Sequence, residues 1–268
     1  MDKKVVIITG ASSGIGLACA IEFSGYGYKV VMAARNIDKL SVIQQEILKS
    51  NPDILALKVD VSIEEDCKRL VEETINKFGR IDVLINNAGI SMRALFKDLD
   101  LKVLHKLMDT NFWGTVYCTK YALPYILAQK GSIVGISSIA GFMGLPARTG
   151  YSASKFAMHG FLETLRIEHL KQHLHVMIVA PGFTSSNIRK TALGADGNVQ
   201  RESPRDENKM MSAENVAHHI YKGVQKRKRL IVLTTKGKLA VLFKKFVPRL
   251  LEYFDYLEMK KEPNSPLS

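Results

Sequence analysis

The chain has 268 residues, of which 46% are hydrophobic and 24% charged, with three cysteines and a formal charge of +12 at neutral pH. That length can bury one large core, so one domain over residues 1–268 is the simplest organisation. The composition excludes a collagen-like, a low-complexity and a disulfide-stapled chain.

Residues 4–9, Lys-Val-Val-Ile-Ile-Thr, form a β-branched run with little alternation, as in a strand buried on both faces of a parallel sheet. Gly10-Ala11-Ser12-Ser13-Gly14-Ile15-Gly16 follows, and then a helical stretch from Leu17 to Tyr26. Strand, glycine turn and helix is the context in which a backbone approaches a pyrophosphate and a helix N-terminus faces it. The second strand, Lys29–Ala34, ends at Arg35-Asn36. An acid that would bond ribose hydroxyls is missing at Ala34, and Arg35 offers a guanidinium suited to a 2′-phosphate. The third strand, residues 54–59, leads to Asp60-Val61. There a carboxylate can accept from an adenine amine or cap the stretch from Ser62. The fourth, Asp82–Ile85, runs into Asn86-Asn87-Ala88-Gly89, whose small and amide side chains permit close contact with a ligand.

Further along, Tyr151 and Lys155 stand four residues apart, on one face of a helix, with Ser138 thirteen residues upstream. A free phenol has a pKa of about 10. A neighbouring ammonium is expected to lower it, so that the tyrosine can trade a proton with an alcohol or carbonyl. The strand Val176–Ala180 leads into Pro181-Gly182.

Thr9-Gly10-x-x-x-Gly14-x-Gly16, Asp60, Asn86-Asn87-Ala88-Gly89, Asn111, Ser138, Tyr151-x-x-x-Lys155 and Pro181-Gly182 occur in this order over residues 4–235. Together they resemble the short-chain dehydrogenase/reductase family, closest in flavour to its NADP-dependent hydroxysteroid- and lipid-handling members. The resemblance implies an α/β fold: a single Rossmann-type doubly wound parallel sheet of about seven strands, helices on both faces and a C-terminal helical extension. It implies an oxidoreductase that moves a hydride between NADP(H) and the carbonyl or alcohol of a hydrophobic small molecule such as a steroid, retinoid or lipid. A 3-oxoacyl-acyl-carrier-protein reductase and a non-catalytic NADPH-binding protein are the alternatives. Under the same resemblance Tyr151 is the proton donor or acceptor, and Lys155 lowers its pKa and holds the nicotinamide ribose. Ser138 bonds the substrate oxygen, and Asn111 steadies a water linking Lys155 to solvent. Gly10, Ser12, Ser13, Gly14, Ile15, Gly16, Arg35, Asp60, Val61, Asn87, Ala88, Gly89, Tyr151, Lys155, Pro181 and Gly182 line the cofactor, and either Thr184 or Ser186 bonds its carboxamide.

Residues 187–211 follow as an irregular stretch, which the resemblance makes a mobile substrate lid. Met92, Phe142, Met143 and Leu145 suggest an apolar pocket, with Arg93 and Arg148 read as solvated. Lys222–Lys261 carries twelve Lys/Arg against three acids, so most of the excess charge is C-terminal. Within it, 236–261 is a basic amphipathic extension interrupted by Pro248. Packing over the cleft or against another subunit is the favoured reading of this extension, ahead of contact with an anionic membrane. Lys226-Arg227-Lys228-Arg229 has no recognition motif around it, so no nucleic-acid partner is expected. The resemblance implies a homodimer or homotetramer. Cys19, Cys67 and Cys118 lack metal-type spacing and suit a reducing compartment, so no metal site is expected. The start Met-Asp-Lys-Lys enters the first strand at once, and no apolar run reaches the roughly 20 residues of a membrane span. A cytoplasmic location is therefore expected.

Overall fold

The computed structural model describes residues 3–203 and 210–267. Seven strands form one sheet: β1 (Val5–Thr9), β2 (Lys29–Ala34), β3 (Ile54–Lys58), β4 (Val83–Asn86), β5 (Ser132–Ile136), β6 (His175–Ala180) and β7 (Leu230–Val232). Their order is β3-β2-β1-β4-β5-β6-β7, and every pairing is parallel. The chain builds outward from β1 to β3 and then crosses to β4 on the other side of β1. The crevice at that switch point opens beyond the carboxyl ends of the strands, where α/β sheets bind ligands.

All five residues of β1 are buried. Val6 and Ile8 face one core, which takes in helix α1 (Gly14–Gly25) and α7 (Ala213–Gln225). Val5 and Ile7 face a second core, formed with α3 (Glu64–Phe78), α5 (Gly114–Ala128) and α6 (Thr149–Glu168). Burial on both faces explains the unbroken apolar run, and each fully covered Val or Ile contributes about 1.5–3 kcal/mol. Local signals fix the helix ends. Asn36 caps α2 (Ile37–Leu48) through the Lys39 amide, and Asp100 caps α4 (Leu101–Met108) through Lys102. Acids at Glu64, Glu65 and Asp66 open α3, and Gly79 closes it in the left-handed conformation.

Between α4 and α5, Asp109–Trp113 widens into a π-turn. Such single turns recur at functional sites because they re-aim one side chain. Here that side chain is Asn111. The extension folds as two helices, α8 (Thr235–Phe243) and α9 (Pro248–Lys260), with Pro248 in the first turn of the second, where its missing N–H is no loss. The stretch 187–211 is described except for residues 204–209, so that part of the expected lid lies outside the described residues.

Candidate active site

The turn after β1 closes on itself tightly. Gly10 has φ +67°, a left-handed conformation that disfavours any side chain. A Cβ on Gly16 would lie 2.4 Å from the Gly10 carbonyl oxygen and 2.5 Å from Asn87 Nδ2. Asn87 locks the turn from the next strand: its amide donates to the carbonyls of Thr9 (2.8 Å) and Gly10 (3.2 Å). Thr9 Oγ1 accepts from the amides of Asn87 and Ala88, both at 3.0 Å. Ser13 occupies the N-cap position of α1 in extended conformation, without bonding the helix amides through its side chain. Those amides and the dipole are therefore presented outward, as an anion site requires. Ser12 and Ile15 flank the turn half-buried, Ile15 against the core behind it.

Beyond β2 and β3, Arg35, Asp60, Ser62, Lys102, His105, Lys106, Asp109 and Thr110 line a cleft of about 410 Å³. Arg35 is exposed there. The Asp60 carboxylate bonds the stretch from Ser62. One oxygen accepts from the Ser62 amide (3.0 Å) and hydroxyl (2.7 Å), and the residue still forms part of the cleft wall. Val61 is buried, with its side chain wedged against Gly114.

At the far end, Lys155 Nζ donates to the Ile136 carbonyl at 2.9 Å and stands over the Tyr151 ring, 5.8 Å from its centroid. A Cβ on Gly89 would meet Asn111 Oδ1 at 3.1 Å and Lys155 Nζ at 3.6 Å, so the bare glycine leaves open the space beside the ammonium. Asn111 is fully buried. Its oxygen accepts from the Ile90 amide (2.8 Å), and its amide donates to the Ile90 carbonyl and to Ser154 Oγ, both at 2.9 Å. Both amide hydrogens are thus used within the protein, and Asn111 ties α5 to α6 and to the loop after β4. Burial lowers the Lys155 pKa to about 8.

One expectation is corrected. The Tyr151 phenol has its pKa raised, because burial of the ring outweighs the hydrogen bond from Ser138 and the positive charges of Arg148 and Arg189. The i, i+4 spacing puts the lysine beside the ring, but the ammonium is turned to a carbonyl. Desolvation, a property of the whole fold, sets the sign.

The Tyr151 ring packs on a small apolar cluster of Ile90, Met92, Leu99, Val103, Leu107 and Leu193. Leu193 belongs to the expected lid. Its amide donates to the Ser91 carbonyl (2.9 Å), its carbonyl accepts from the Arg93 amide (2.8 Å), and it is buried. Leu193 is therefore tied to residues 91–93. Arg93 is also corrected: it is buried, and its guanidinium meets Glu262 at 3.2 Å and the Pro263 carbonyl at 2.8 Å. Arg148 is half-buried rather than solvated. Pro181 is buried, and Gly182 packs against Thr234. Thr184 is buried and donates to the Gly182 carbonyl (3.2 Å), whereas Ser186 Cβ lies 3.3 Å from the Cβ position of Gly14, against the glycine turn.

Two buried pairs had no sequence signal. Cys67 and Cys118 bring their sulfurs within 3.4 Å as free thiols. Ser137 Oγ meets His159 Nε2 at 2.6 Å, directly behind Ser138, and the imidazole packs edge-on to Phe142. Burial, with the Lys155 charge adding to it, lowers the His159 pKa to about 4. An unfolded histidine binds its proton below about pH 6.5, so between these values the unfolded chain holds more protons and stability falls as pH drops, by about 3 kcal/mol at the bottom. His159→Gln is expected to abolish that part of the acid loss. Urea unfolding at neutral pH and near pH 4.5 reads it, and an unchanged difference between the two would refute the assignment.

A parallel sheet with an anion-binding turn after β1, and with a Ser-Tyr-Lys cluster beside the same crevice, defines a dinucleotide-binding oxidoreductase fold. A family model described as short chain dehydrogenase matches residues 4–196. The chain is 37% identical over 273 aligned positions to 11-beta-hydroxysteroid dehydrogenase A of Arachis hypogaea, covering 99% of this chain and 78% of that protein. It is 34% identical over 261 positions to a dehydrogenase/reductase SDR family protein 7-like of Dictyostelium discoideum, covering 95% and 81%. Among solved structures, a short-chain dehydrogenase/reductase from Burkholderia phymatum in complex with NAD superposes with TM-score 0.82 at 21% identity, over 100% of this chain and 98% of that one. An alcohol dehydrogenase from Thermococcus sibiricus, complexed with 5-hydroxy-NADP, gives 0.76 at 23% identity, over 87% and 95%. These two likenesses concern the fold. The chain belongs to the short-chain dehydrogenase/reductase family, whose members are oxidoreductases that use a nicotinamide cofactor.

Proposed function

We propose that this protein is an NADP(H)-dependent oxidoreductase acting on a ketone or secondary alcohol of a hydrophobic, hydroxysteroid-like molecule. The observation that carries the reading is the cluster of Ser138, hydrogen-bonded to the Tyr151 phenol, and Lys155, which stands over the tyrosine ring and borders the gap left by Gly89, with an apolar cluster against that ring. The similarity to 11-beta-hydroxysteroid dehydrogenase A of Arachis hypogaea supports the substrate class.

The residues present fit a nicotinamide dinucleotide. The glycine turn is too tight for side chains, the α1 amides are uncapped by Ser13, and Gly89 leaves room at Lys155. When bound, the cofactor supplies the reducing equivalent. Gly10 to Gly16 and the α1 N-terminus hold the pyrophosphate, Asp60 and Val61 border the adenine, and Arg35 faces the 2′-phosphate. Lys155 holds the ribose hydroxyls, with Asn87, Ala88 and Gly89 beside them. Pro181 and Gly182 back the nicotinamide. Thr184 or Ser186 bonds the carboxamide, the Thr184 hydroxyl lying against the Gly182 carbonyl and Ser186 against the glycine turn. Ser138 donates to the substrate oxygen as charge grows on it, and Tyr151 delivers the proton. Asn111 holds α5 and α6 in register around Lys155.

In the same reading, residues 1–268 form one domain, 187–211 is the substrate lid, and α5 and α6 carry a homodimer or homotetramer contact in a cytoplasmic protein. Among the described residues no helix is long and apolar enough to cross a membrane.

The test is turnover of purified protein on a panel of ketosteroids, retinoids and aliphatic ketones, with carrier-linked 3-oxoacyl substrates as the comparison arm, followed by absorbance of reduced nicotinamide. Turnover with carrier-linked substrates alone would overturn the substrate class. Arg35→Ala is expected to weaken NADPH roughly 10- to 100-fold, the worth of one charge-assisted contact, with NADH affinity nearly unchanged. Equal losses for both would overturn the coenzyme assignment.

A further inference from the structure

The two helices of the extension leave an unusual surface. Leu239, Leu242, Phe243, Phe246, Leu250 and Phe254 are all exposed, Phe246 by 74% and the others by 44–54%. Met259 is the one buried residue of α9 and Gly237 the one buried residue of α8. Apart from the adjacent Leu242 and Phe243, these apolar residues follow one another at steps of three or four, and the two helices contact each other. Interleaved with them are Lys236, Lys238, Lys244, Lys245 and Arg249, and no acid occurs between Thr235 and Leu251. The acids of α9, Glu252, Asp255 and Glu258, come later. A folded protein seldom leaves so many large apolar side chains contiguous in sequence in water without a use for them.

We propose that the α8–α9 surface docks on an anionic lipid surface, its apolar side chains entering the headgroup boundary and its lysines meeting lipid phosphates. Charge selects this occupant. A second copy of the same patch would set five cations against five cations, whereas an anionic bilayer complements every one of them. Lysine stems lie along apolar surface while their heads reach the phosphates. The surface also borders the reaction site. α8 packs on the turn after Ser138, through Gly237 and Ile139, and Lys244 Nζ stands 5.6 Å over the Phe156 ring, next to Lys155 in the chain. On the proposed function, an apolar substrate then partitions from lipid to a pocket mouth held at the membrane plane. This last step rests on that reading, and the docking itself does not.

The experiment is co-sedimentation of the full chain with vesicles of phosphatidylcholine alone and with about 30% phosphatidylserine added, at about 0.1 M and 0.5 M salt. Binding is expected to the anionic vesicles, at least tenfold weaker to the neutral ones, and reduced by salt. Lys238→Glu/Lys245→Glu is expected to weaken it by roughly 25-fold or more, at about fivefold per cation lost. Phe246→Ser should weaken it as well, and neither variant should alter turnover of a water-soluble carbonyl substrate. No sedimentation with anionic vesicles, or equal binding to both compositions, overturns the proposal. So does a wild-type dimer in light scattering that Phe246→Ser converts to monomer without any vesicle binding. Vesicle binding without turnover on any carbonyl would sink the proposed function and leave the docking surface standing.

Discussion

Tyr151→Phe is expected to lower turnover by about 10²–10⁴-fold, the usual worth of a positioned general acid, while NADPH binding stays within about twofold. The two halves of that expectation come from separate contacts. The ring packs on the cluster of Met92, Leu107 and Leu193, and phenylalanine keeps that packing. Only the hydroxyl, and its hydrogen bond with Ser138, is removed. Removing a half-buried hydroxyl whose partner also accepts from the Ala140 amide leaves little unsatisfied, so the unfolding midpoint should hardly move. Cofactor affinity, read by quenching or enhancement of nicotinamide fluorescence, depends on the glycine turn, Arg35 and Lys155, which the change does not touch. The raised phenol pKa adds a directional mark. The group stays protonated through neutral pH, so carbonyl reduction should be nearly flat there, and the reverse oxidation, which needs the phenolate, should climb as pH rises. A variant that retains a tenth or more of wild-type turnover would remove Tyr151 from the proton-transfer role.

What could be read without coordinates was local. β1, β2 and β6 announced themselves because a strand covered on both faces must be apolar throughout, and their observed limits differ from expectation by a residue or two at most. The glycine turn was legible because only glycine tolerates φ +67° at Gly10 and the carbonyl contact at Gly16. The break at Pro248 was legible from proline chemistry alone. Relations across the fold were not. Ser137 with His159, Cys67 with Cys118, and Arg93 with Glu262 are each joined by sheet order and helix packing, which leave no periodic trace in the chain. The Tyr151 pKa failed for the same reason. Helical spacing reports that Lys155 is near, whereas the dominant influence is burial of the ring, to which residues 90–94, 99–107 and 193–195 contribute. The irregular stretch 187–211 likewise gave no sign of the hydrogen bonds that Leu193 makes with Ser91 and Arg93.

Breaking the Arg93–Glu262 pair is expected to free the C-terminal tail. Both side chains are only 7% exposed, and removing one member of such a pair typically costs about 3–5 kcal/mol, because the other charge stays buried. The remaining charge need not stay buried here. Besides the pair, Met259 of α9 and Ser265 are the buried residues of this end of the chain, and departure of the tail returns the surviving charge to water. Glu262→Ala should therefore shift the ratio of docked to free tail by roughly 10²–10³ while the main unfolding transition moves by about 1 kcal/mol or less. Hydrogen exchange over Met259–Pro263 measures the first quantity and urea unfolding the second. The segment Met92–Ala94 walls the apolar cluster, so substrate KM should rise more than kcat falls. Arg93→Met/Glu262→Met is the control. Arg93 Nε has no hydrogen-bond partner among the described residues, so the native pair is imperfectly satisfied, and two apolar side chains of similar reach should re-dock the tail and restore protection. Equal exchange in wild type and Glu262→Ala would show that the pair does not hold the tail. Failure of the double variant to recover would show that the charges themselves, rather than the filled space, are required.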